Sequence, residues 1–495
     1  MAKRATAFEL SLQPIGTKAP AYKWLYGELR TTILNGRLRP GARLPATRDL
    51  AQQYGLSRGT IVSAFEQLKS EGYLQGSVGS GTYVSKILPD ELLQVANEGV
   101  VTRSISQKQK RRLSDCARRT SLFSAFELRA SRAFRANLPA LDLFPATLWA
   151  QIAARRLRRA STNFLIGCDS LGYRPLRDAV ADYLNASRGV NCVPEQVAIT
   201  SGVQEALDLV ARLFVNPGDH VHMENPGYPG AALAFESVGG KILPLGLDQD
   251  GMKLPGGKMR NIRLVYTTPG HQFPLGITMS LPRRLELLEW ARKSRALIFE
   301  DDYDSEYRYS GRPVPALQGL DRHGLVLFAG SFSKVLFPAL RLGYLVVPQD
   351  LIPRVAAMKS ISTRHAPILE QAVLCDFITE GHFARHLRRM REVYAERLSV
   401  LLESARQELA GLLEISDVEA GLQTVGYLRH GMDAEAAARA AAVRHVEVTP
   451  VSRYYRGRPD RAARQALQLG FATVDSRELR RGVRELALAL ENNLG

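Results

Sequence analysis

The sequence predicts an α/β protein in two parts: a short helical unit closed by a hairpin, then a much longer layered unit. Three observations predict it. Apolar residues recur at helical spacing within the first 70 residues. A Gly/Ser-rich turn between two short strand-like runs follows them. From about Glu127 onward, long helical patterns alternate with short apolar runs that end in polar clusters.

The 495 residues, 45% hydrophobic and 23% charged, have the proportions of a globular protein, which excludes a mostly disordered, collagenous or membrane-embedded chain. The net charge is +17, and +10 of it falls within residues 1–119. Such an excess points to an anionic partner, most simply nucleic acid. Four cysteines (Cys116, Cys168, Cys192, Cys375) form no CxxC, so neither a disulfide framework nor a zinc ribbon is expected. There is no HExxH, no GxSxG and no GxGxxG opening a helix, so metal, hydrolase and nicotinamide chemistry are not indicated. No run approaches 18 apolar residues and no leader pattern opens the chain. The expectation is a cytoplasmic protein that does not engage membranes.

In the first part, Tyr22, Leu25, Tyr26, Leu29 and Ile33 make one face of an amphipathic helix that Gly36 is placed to end. A second helix from Thr47 to Gly55 would bury Leu50, Ala51 and Tyr54. After Leu56, Ser57 offers the N-cap of a third helix, with Ile61, Phe65 and Leu68 inward. Two short helices separated by so tight a turn read as a helix-turn-helix. The third opens with Ser57, Arg58, Gly59 and Thr60, a polar tip suited to a major groove. Tyr73–Gln75 and Thr82–Val84 flank a Gly/Ser loop, a wing whose glycines allow close approach to a phosphate backbone. Residues 86–127, with the basic run Lys108 to Arg112, read as a solvated tether.

In the second part, three apolar runs lead directly into polar clusters. Leu264-Val265-Tyr266 precedes Pro269-Gly270-His271-Gln272-Phe273-Pro274. Leu297-Ile298-Phe299 precedes Glu300-Asp301-Asp302-Tyr303, and Leu325 to Phe328 precedes Ser331-Phe332-Ser333-Lys334. Ligands of open α/β sheets collect beyond the carboxyl ends of strands, so these clusters suggest one shared site. Their chemistry suits an aromatic aldehyde phosphate: a lysine able to form a Schiff base and a carboxylate able to keep a pyridine nitrogen protonated. Strand parity assigns Asp301 to the ring nitrogen and Tyr303 to the ring hydroxyl, with Asp302 facing away. Arg341 could fork onto a phosphate, and Val197–Thr200 followed by Ser201-Gly202-Val203 reads as a strand turning into a phosphate-binding helix start. Tyr228 is a loop aromatic that could stack on the ring.

The segment from Arg39 to Val84 resembles the winged-helix domain of GntR-type bacterial regulators. That resemblance implies DNA contacts at Arg48, Ser57, Arg58 and Thr60 and at the wing glycines Gly79 and Gly81. The ordered set SGVQ, NPGY, PGHQFP, EDDYDSE, SFSK and Arg341, with Phe144-Pro145, Trp149 and LGYRPLR before most of it, resembles the fold-type I aminotransferases. Their fold is a mostly parallel sheet with helices on both faces and a small C-terminal α/β subdomain. Their cofactor is pyridoxal 5'-phosphate.

Together the two resemble the MocR regulators. This implies Lys334 as the Schiff-base lysine, Asp301 and Tyr303 on the ring, and Tyr228 stacked on it. Ser201, Gly202, Val203, Ser331, Ser333 and Arg341 would surround the phosphate. It also implies double-stranded operator DNA as partner and a head-to-tail homodimer. The expected division is a DNA-binding domain over 1–85, a linker over 86–127 and a cofactor domain over 128–495, its small part mainly 375–495.

The sequence departs from the aminotransferase pattern in three places. Leu275 precedes Gly276, and Gln423 follows Gly421-Leu422. The position aligned with the arginine that clamps a substrate carboxylate is Ala466, with Arg464 and Arg453 as the nearby alternatives. The leading expectation is a regulator that senses pyridoxal phosphate or an amino compound such as γ-aminobutyrate or taurine. Its rivals are a working aminotransferase that carries a DNA-binding domain, and a DNA-binding protein whose second part only dimerises.

Overall fold

The computed structural model describes residues 20–77, 81–86, 88, 112–121, 131–256, 261–310, 314–415, 418–457 and 464–491. The chain divides into two compact units, Met1–Arg112 and Leu113–Gly495.

In the first unit, α1 (Ala21–Leu34), α2 (Thr47–Tyr54) and α3 (Arg58–Ser70) precede β1 (Leu74–Ser77) and β2 (Gly81–Val84). The two strands pair antiparallel from Leu74–Val84 to Ser77–Gly81. Gly36 and Gly55 end their helices at positive φ, 69° and 64°, a conformation that costs a residue with a Cβ. One core joins Leu25, Leu29 and Ile33 of α1 to Leu50 of α2 and to Ile61, Phe65 and Leu68 of α3. Each such buried side chain contributes about 1.5–3 kcal/mol. Tyr22, expected on the inner face of α1, is exposed, because the helix axis turns that position to water.

In the second unit the strands are β3 (Val197–Thr200), β4 (His220–Glu224), β5 (Lys241–Leu245), a ribbon of β6 (Leu247–Asp248) and β7 (Gly251–Met252), β8 (Ile262–Thr267), β9 (Leu297–Asp302), β10 (Val326–Ser331) and β11 (Gly343–Val346). The main sheet has the order β3-β11-β10-β9-β8-β4-β5. It is parallel except for β11, which runs antiparallel to both β3 and β10. Alternate residues of one strand feed two separate cores. Phe328, Tyr344 and Val346 pack on one side, whereas Leu327, Ala329 and Leu345 pack on the other. Helices therefore cover both faces, which is why these strands are apolar throughout rather than alternating.

A smaller antiparallel sheet follows, ordered β12 (Leu413–Ile415), β13 (Gln423–Leu428), β15 (Ala466–Gly470), β14 (Thr449–Pro450). An early stretch of chain joins it. Phe134 bridges Gly470, and Glu447 N donates to the Ala133 carbonyl at 3.0 Å. The small sheet, whose strands run from Leu413 to Gly470, thus also takes in residues near 133, a non-local pairing that periodicity cannot show. Within the stretch read as a tether, Asp115–Arg119 is helical and Arg119 donates to the Ser237 carbonyl.

Candidate cofactor site and nucleic-acid interface

β8, β9 and β10 are neighbours, so the polar clusters at their ends meet. Asp301, near the end of β9, is buried, and its Oδ2 accepts from the Tyr266 hydroxyl at 2.8 Å. Its Oδ1 is buried with no hydrogen-bond partner. Burial pushes its carboxyl up to about 7. Asp302 points to the opposite side and pairs with Arg188 at 2.6 Å.

Lys334 lies just beyond β10, where burial lowers its amine to about 8, with Asp304 and Asp301 partly offsetting the shift. Its Nζ donates to the Asn137 carbonyl at 2.8 Å. Burial also raises the Tyr303 hydroxyl well above its ordinary value. Tyr303 Oη sits 3.0 Å from His271 Nδ1, which is 2.9 Å from Asp304 Oδ1. Tyr228 stands at the start of the helix Pro229–Ser237, its ring edge to face with Phe273 at 5.8 Å between centroids. Its hydroxyl is raised by burial and by the charge of Asp301.

A second group of residues meets where β3 leads into the helix Val203–Phe214. Gly202 caps that helix at φ 94°, and a Cβ there would stand 3.3 Å from Arg341 Nη2. Arg341 itself donates to the Ser201 carbonyl at 2.8 Å. Ser331 Oγ accepts from Ser333 N at 3.2 Å, while the hydroxyls of Ser333 and Thr200 are buried without partners. Ser201 N donates to Glu205 Oε2 at 2.5 Å, and Glu205 is held in turn by the fully buried Lys359 at 2.7 Å.

The donor set fits pyridoxal phosphate. An unpaired carboxylate oxygen suits a pyridinium N–H, and unpaired hydroxyls beside a guanidinium and a helix start suit a phosphate.

Sequence reasoning missed several residues here. His271 and Asp304 stack beneath Gly421, where a Cβ would come within 2.1 Å of His271 Cε1. Gln423 Oε1 accepts from Asn137 N at 3.0 Å. Glu224 is buried and raised by burial, although the hydroxyls of Thr267 and Thr268 donate to it. Only its position, at the end of β4, could have flagged Glu224.

Neither candidate clamp arginine is free. Arg453 forks onto Glu435, and Arg464 pairs with Glu414 over the Tyr427 ring. Ala466 is buried on β15. A cavity of about 350 Å³ lies beside Glu224, Tyr228, Arg453, Tyr454 and Arg456.

At the nucleic-acid interface, Ser57 caps α3 by accepting from Thr60 N at 3.1 Å, and the two hydroxyls lie 2.8 Å apart. Arg58, the first residue of α3, and Arg48, near the start of α2, are exposed. Gly81 opens β2 at φ 113°, with the Arg43 guanidinium against it. Arg43 is a basic neighbour of the wing that the sequence did not single out. Gly79 lies outside the described residues.

A winged helix in one chain with a seven-stranded sheet and this strand-end site defines the class of aminotransferase-like regulators. Residues 21–84 match the gntR family of bacterial regulatory proteins, and residues 134–486 match the class I and II aminotransferases. The chain is 40% identical to the probable rhizopine catabolism regulatory protein MocR of Rhizobium meliloti, over 96% of this chain and 95% of that one. It is 29% identical to the pyridoxine biosynthesis transcriptional regulator PdxR of Corynebacterium glutamicum, over 94% of each. Among solved structures it resembles the α-aminoadipate aminotransferase LysN of Thermus thermophilus, bound to N-(5'-phosphopyridoxyl)-L-leucine. The TM-score is 0.68 at 30% identity, over 77% of this chain and 98% of that one. The chain belongs to the MocR-type regulators, a GntR helix-turn-helix joined to an aminotransferase fold, and its cofactor is pyridoxal phosphate.

Proposed function

We propose that this chain is a transcription regulator whose hold on operator DNA is set by what occupies Lys334, either pyridoxal phosphate alone or the cofactor with a small amino compound. One observation carries the reading: a half-buried lysine whose amine is lowered to about 8 stands in the field of a buried Asp301 whose Oδ1 has no partner, in a chain that also carries a winged helix. A scaffold for dimerisation needs neither group.

The cofactor supplies an aldehyde that bonds reversibly to amines and a ring that withdraws electrons once its nitrogen is protonated. In this reading Lys334 holds the aldehyde carbon, Asp301 the ring nitrogen and Tyr303 the ring oxygen, with Tyr228 against the ring face. Ser201, Gly202 and Val203 at the helix start, with Ser331, Ser333 and Arg341, take the phosphate. Arg48, Ser57, Arg58, Thr60, Gly79 and Gly81 contact DNA. The working division is DNA-binding over 1–85, linker over 86–127 and cofactor domain over 128–495, in a cytoplasmic head-to-tail homodimer. Both candidate clamp arginines are engaged on surface carboxylates, which favours sensing over turnover.

A ligand shifts DNA binding only by its differential affinity for two states. A hundredfold change in operator affinity corresponds to about 2.7 kcal/mol of coupling. The test is binding to a duplex selected from a random pool by the full chain, with and without pyridoxal phosphate. Identical affinity and identical bending in both states would sink regulation through DNA binding. Sustained keto-acid formation from an amino acid would favour the enzyme instead.

A further inference from the structure

β15 shows two different faces. Leu467, Leu469 and Phe471 enter the main core, while Ala466 packs with Val425 and Val451 against Leu275 and Tyr455. Parity puts Gln468 on the face of Ala466, the face that meets the loop carrying Phe273 and Leu275. The Tyr454 hydroxyl donates to Gln468 Oε1 at 2.7 Å. The Tyr454 and Phe273 rings meet edge to face with centroids 4.9 Å apart, and the Phe273 ring also contacts those of Tyr228 and Tyr303. Gln468 is thus linked through two rings to the cofactor residues. It has no exposure, and its Nε2 has no partner. A buried amide N–H without an acceptor is destabilising, and a ligand oxygen would satisfy it.

We propose that Gln468 recognises the effector, and that the effector is a primary amine whose other polar groups are uncharged hydroxyl or carbonyl oxygens. The inference rests on the sensing role proposed for Lys334. A carboxamide offers directed N–H donors but no charge, so it favours a neutral oxygen, whereas a buried carboxylate requires a cation. Three described arginines from the segment before β15 are paired: Arg453 with Glu435, Arg456 with Glu236 and Arg464 with Glu414. Tyr454 fixes the carboxamide by taking its oxygen, which leaves the N–H side for the ligand. Exchange at Lys334 needs no oxidant or reductant. The incoming neutral amine would form a C=N bond to the carbon that Lys334 holds as the C=N bond to Nζ breaks, and the two protons it loses would pass to Nζ, which leaves as a neutral amine.

The test uses the full chain loaded with pyridoxal phosphate, with displacement of Lys334 followed by visible absorption. The probes are 2-amino-1,3-propanediol, isopropylamine, L-alanine and 4-aminobutyrate. The expected result is displacement by the aminodiol at a concentration at least about tenfold lower than by the other three, the discrimination of one well-placed buried hydrogen bond. Gln468→Leu should erase that preference, and Gln468→Arg should turn it toward the two amino acids. Should Gln468→Leu misfold, Tyr454→Phe frees the carboxamide without removing bulk and should weaken the preference. An amino acid displacing Lys334 as well as the aminodiol, displacement by none of the four, or a preference that survives in Gln468→Leu and Tyr454→Phe overturns the proposal while the sensing reading stands. Absence of any lysine-bound cofactor band overturns both.

Discussion

In the N-terminal unit the candidate DNA contacts lie in three short segments, with Arg48, Ser57 and Arg58 exposed, and Ser57 and Thr60 already satisfy each other as a helix cap. In the C-terminal unit the candidate cofactor residues come from the ends of separate strands and range from the exposed Arg341 to the buried Asp301 and Ser333, and Asp301, Ser333 and Thr200 hold buried polar atoms with no partner. The first surface is stable in water as it stands, because water completes whatever DNA does not. The second presents buried polar atoms that a bound ligand would satisfy. The cofactor should therefore stabilise one unit strongly, whereas DNA contacts should be removable with little effect on either fold.

The sharpest test of that contrast is thermal unfolding with added pyridoxal phosphate. At a hundredfold excess over its Kd the C-terminal transition should gain about 2.7 kcal/mol, and the N-terminal transition should not move. In Lys334→Ala the lysine-bound visible band should vanish completely and most of the gain with it. Equal stabilisation of both transitions breaks the comparison.

The pH dependence of cofactor attachment comes next. The Lys334 amine is lowered to about 8, so its neutral, nucleophilic fraction rises about tenfold per pH unit up to that point and then levels. The attachment rate should follow that curve between pH 6 and 9, in stopped-flow absorption. A rate still climbing at pH 10 means an amine that burial does not perturb. The same shift bears on stability. The unfolded lysine keeps its proton to higher pH than the folded one, so this group favours folding increasingly from about pH 8 upward.

Smaller effects are expected at the exposed surface. Arg58→Ala should weaken binding to the selected duplex about tenfold and leave the cofactor band unchanged. Ser57→Ala removes the cap of α3 and should lower the stability of the N-terminal unit by about 1 kcal/mol in chemical denaturation. Loss of the cofactor band in either variant would mean that the two sites are not built independently.

The same contrast governs how much could be read from the sequence. Helix caps are local signals, and Gly36, Ser57 and Gly55 sit where the three helices stop and start. The four strand runs leading to SGVQ, PGHQFP, EDDYD and SFSK were also local, as was the parity that separates Asp301 from Asp302. What stayed hidden depends on distant parts of the chain meeting. Asn137 touches both Lys334 and Gln423 only because the 133–137 stretch runs into the small sheet. Asp304 and His271 come together because β8 and β9 are neighbours. An arginine-based reading of the clamp does not reach Gln468, which carries no charge. Alternation along Ala466, Gln468 and Gly470 was the available signal.

The carboxylate of Glu205 occupies the Ser201 amide, at the helix start where the phosphate is proposed to bind. A phosphate that took this N–H would compete with Glu205 and push it toward Lys359 and Thr363, which already hold its Oε1. A phosphate carries nearly two charges and three acceptor oxygens against a single carboxylate charge, which favours it in that competition. Pyridoxal lacking the phosphate brings the same aldehyde but nothing that evicts the glutamate. The helix start thereby becomes a selector between forms of vitamin B6, and parallel absorption titrations with the two aldehydes should show saturation by the phosphate ester far below any concentration at which the free aldehyde binds.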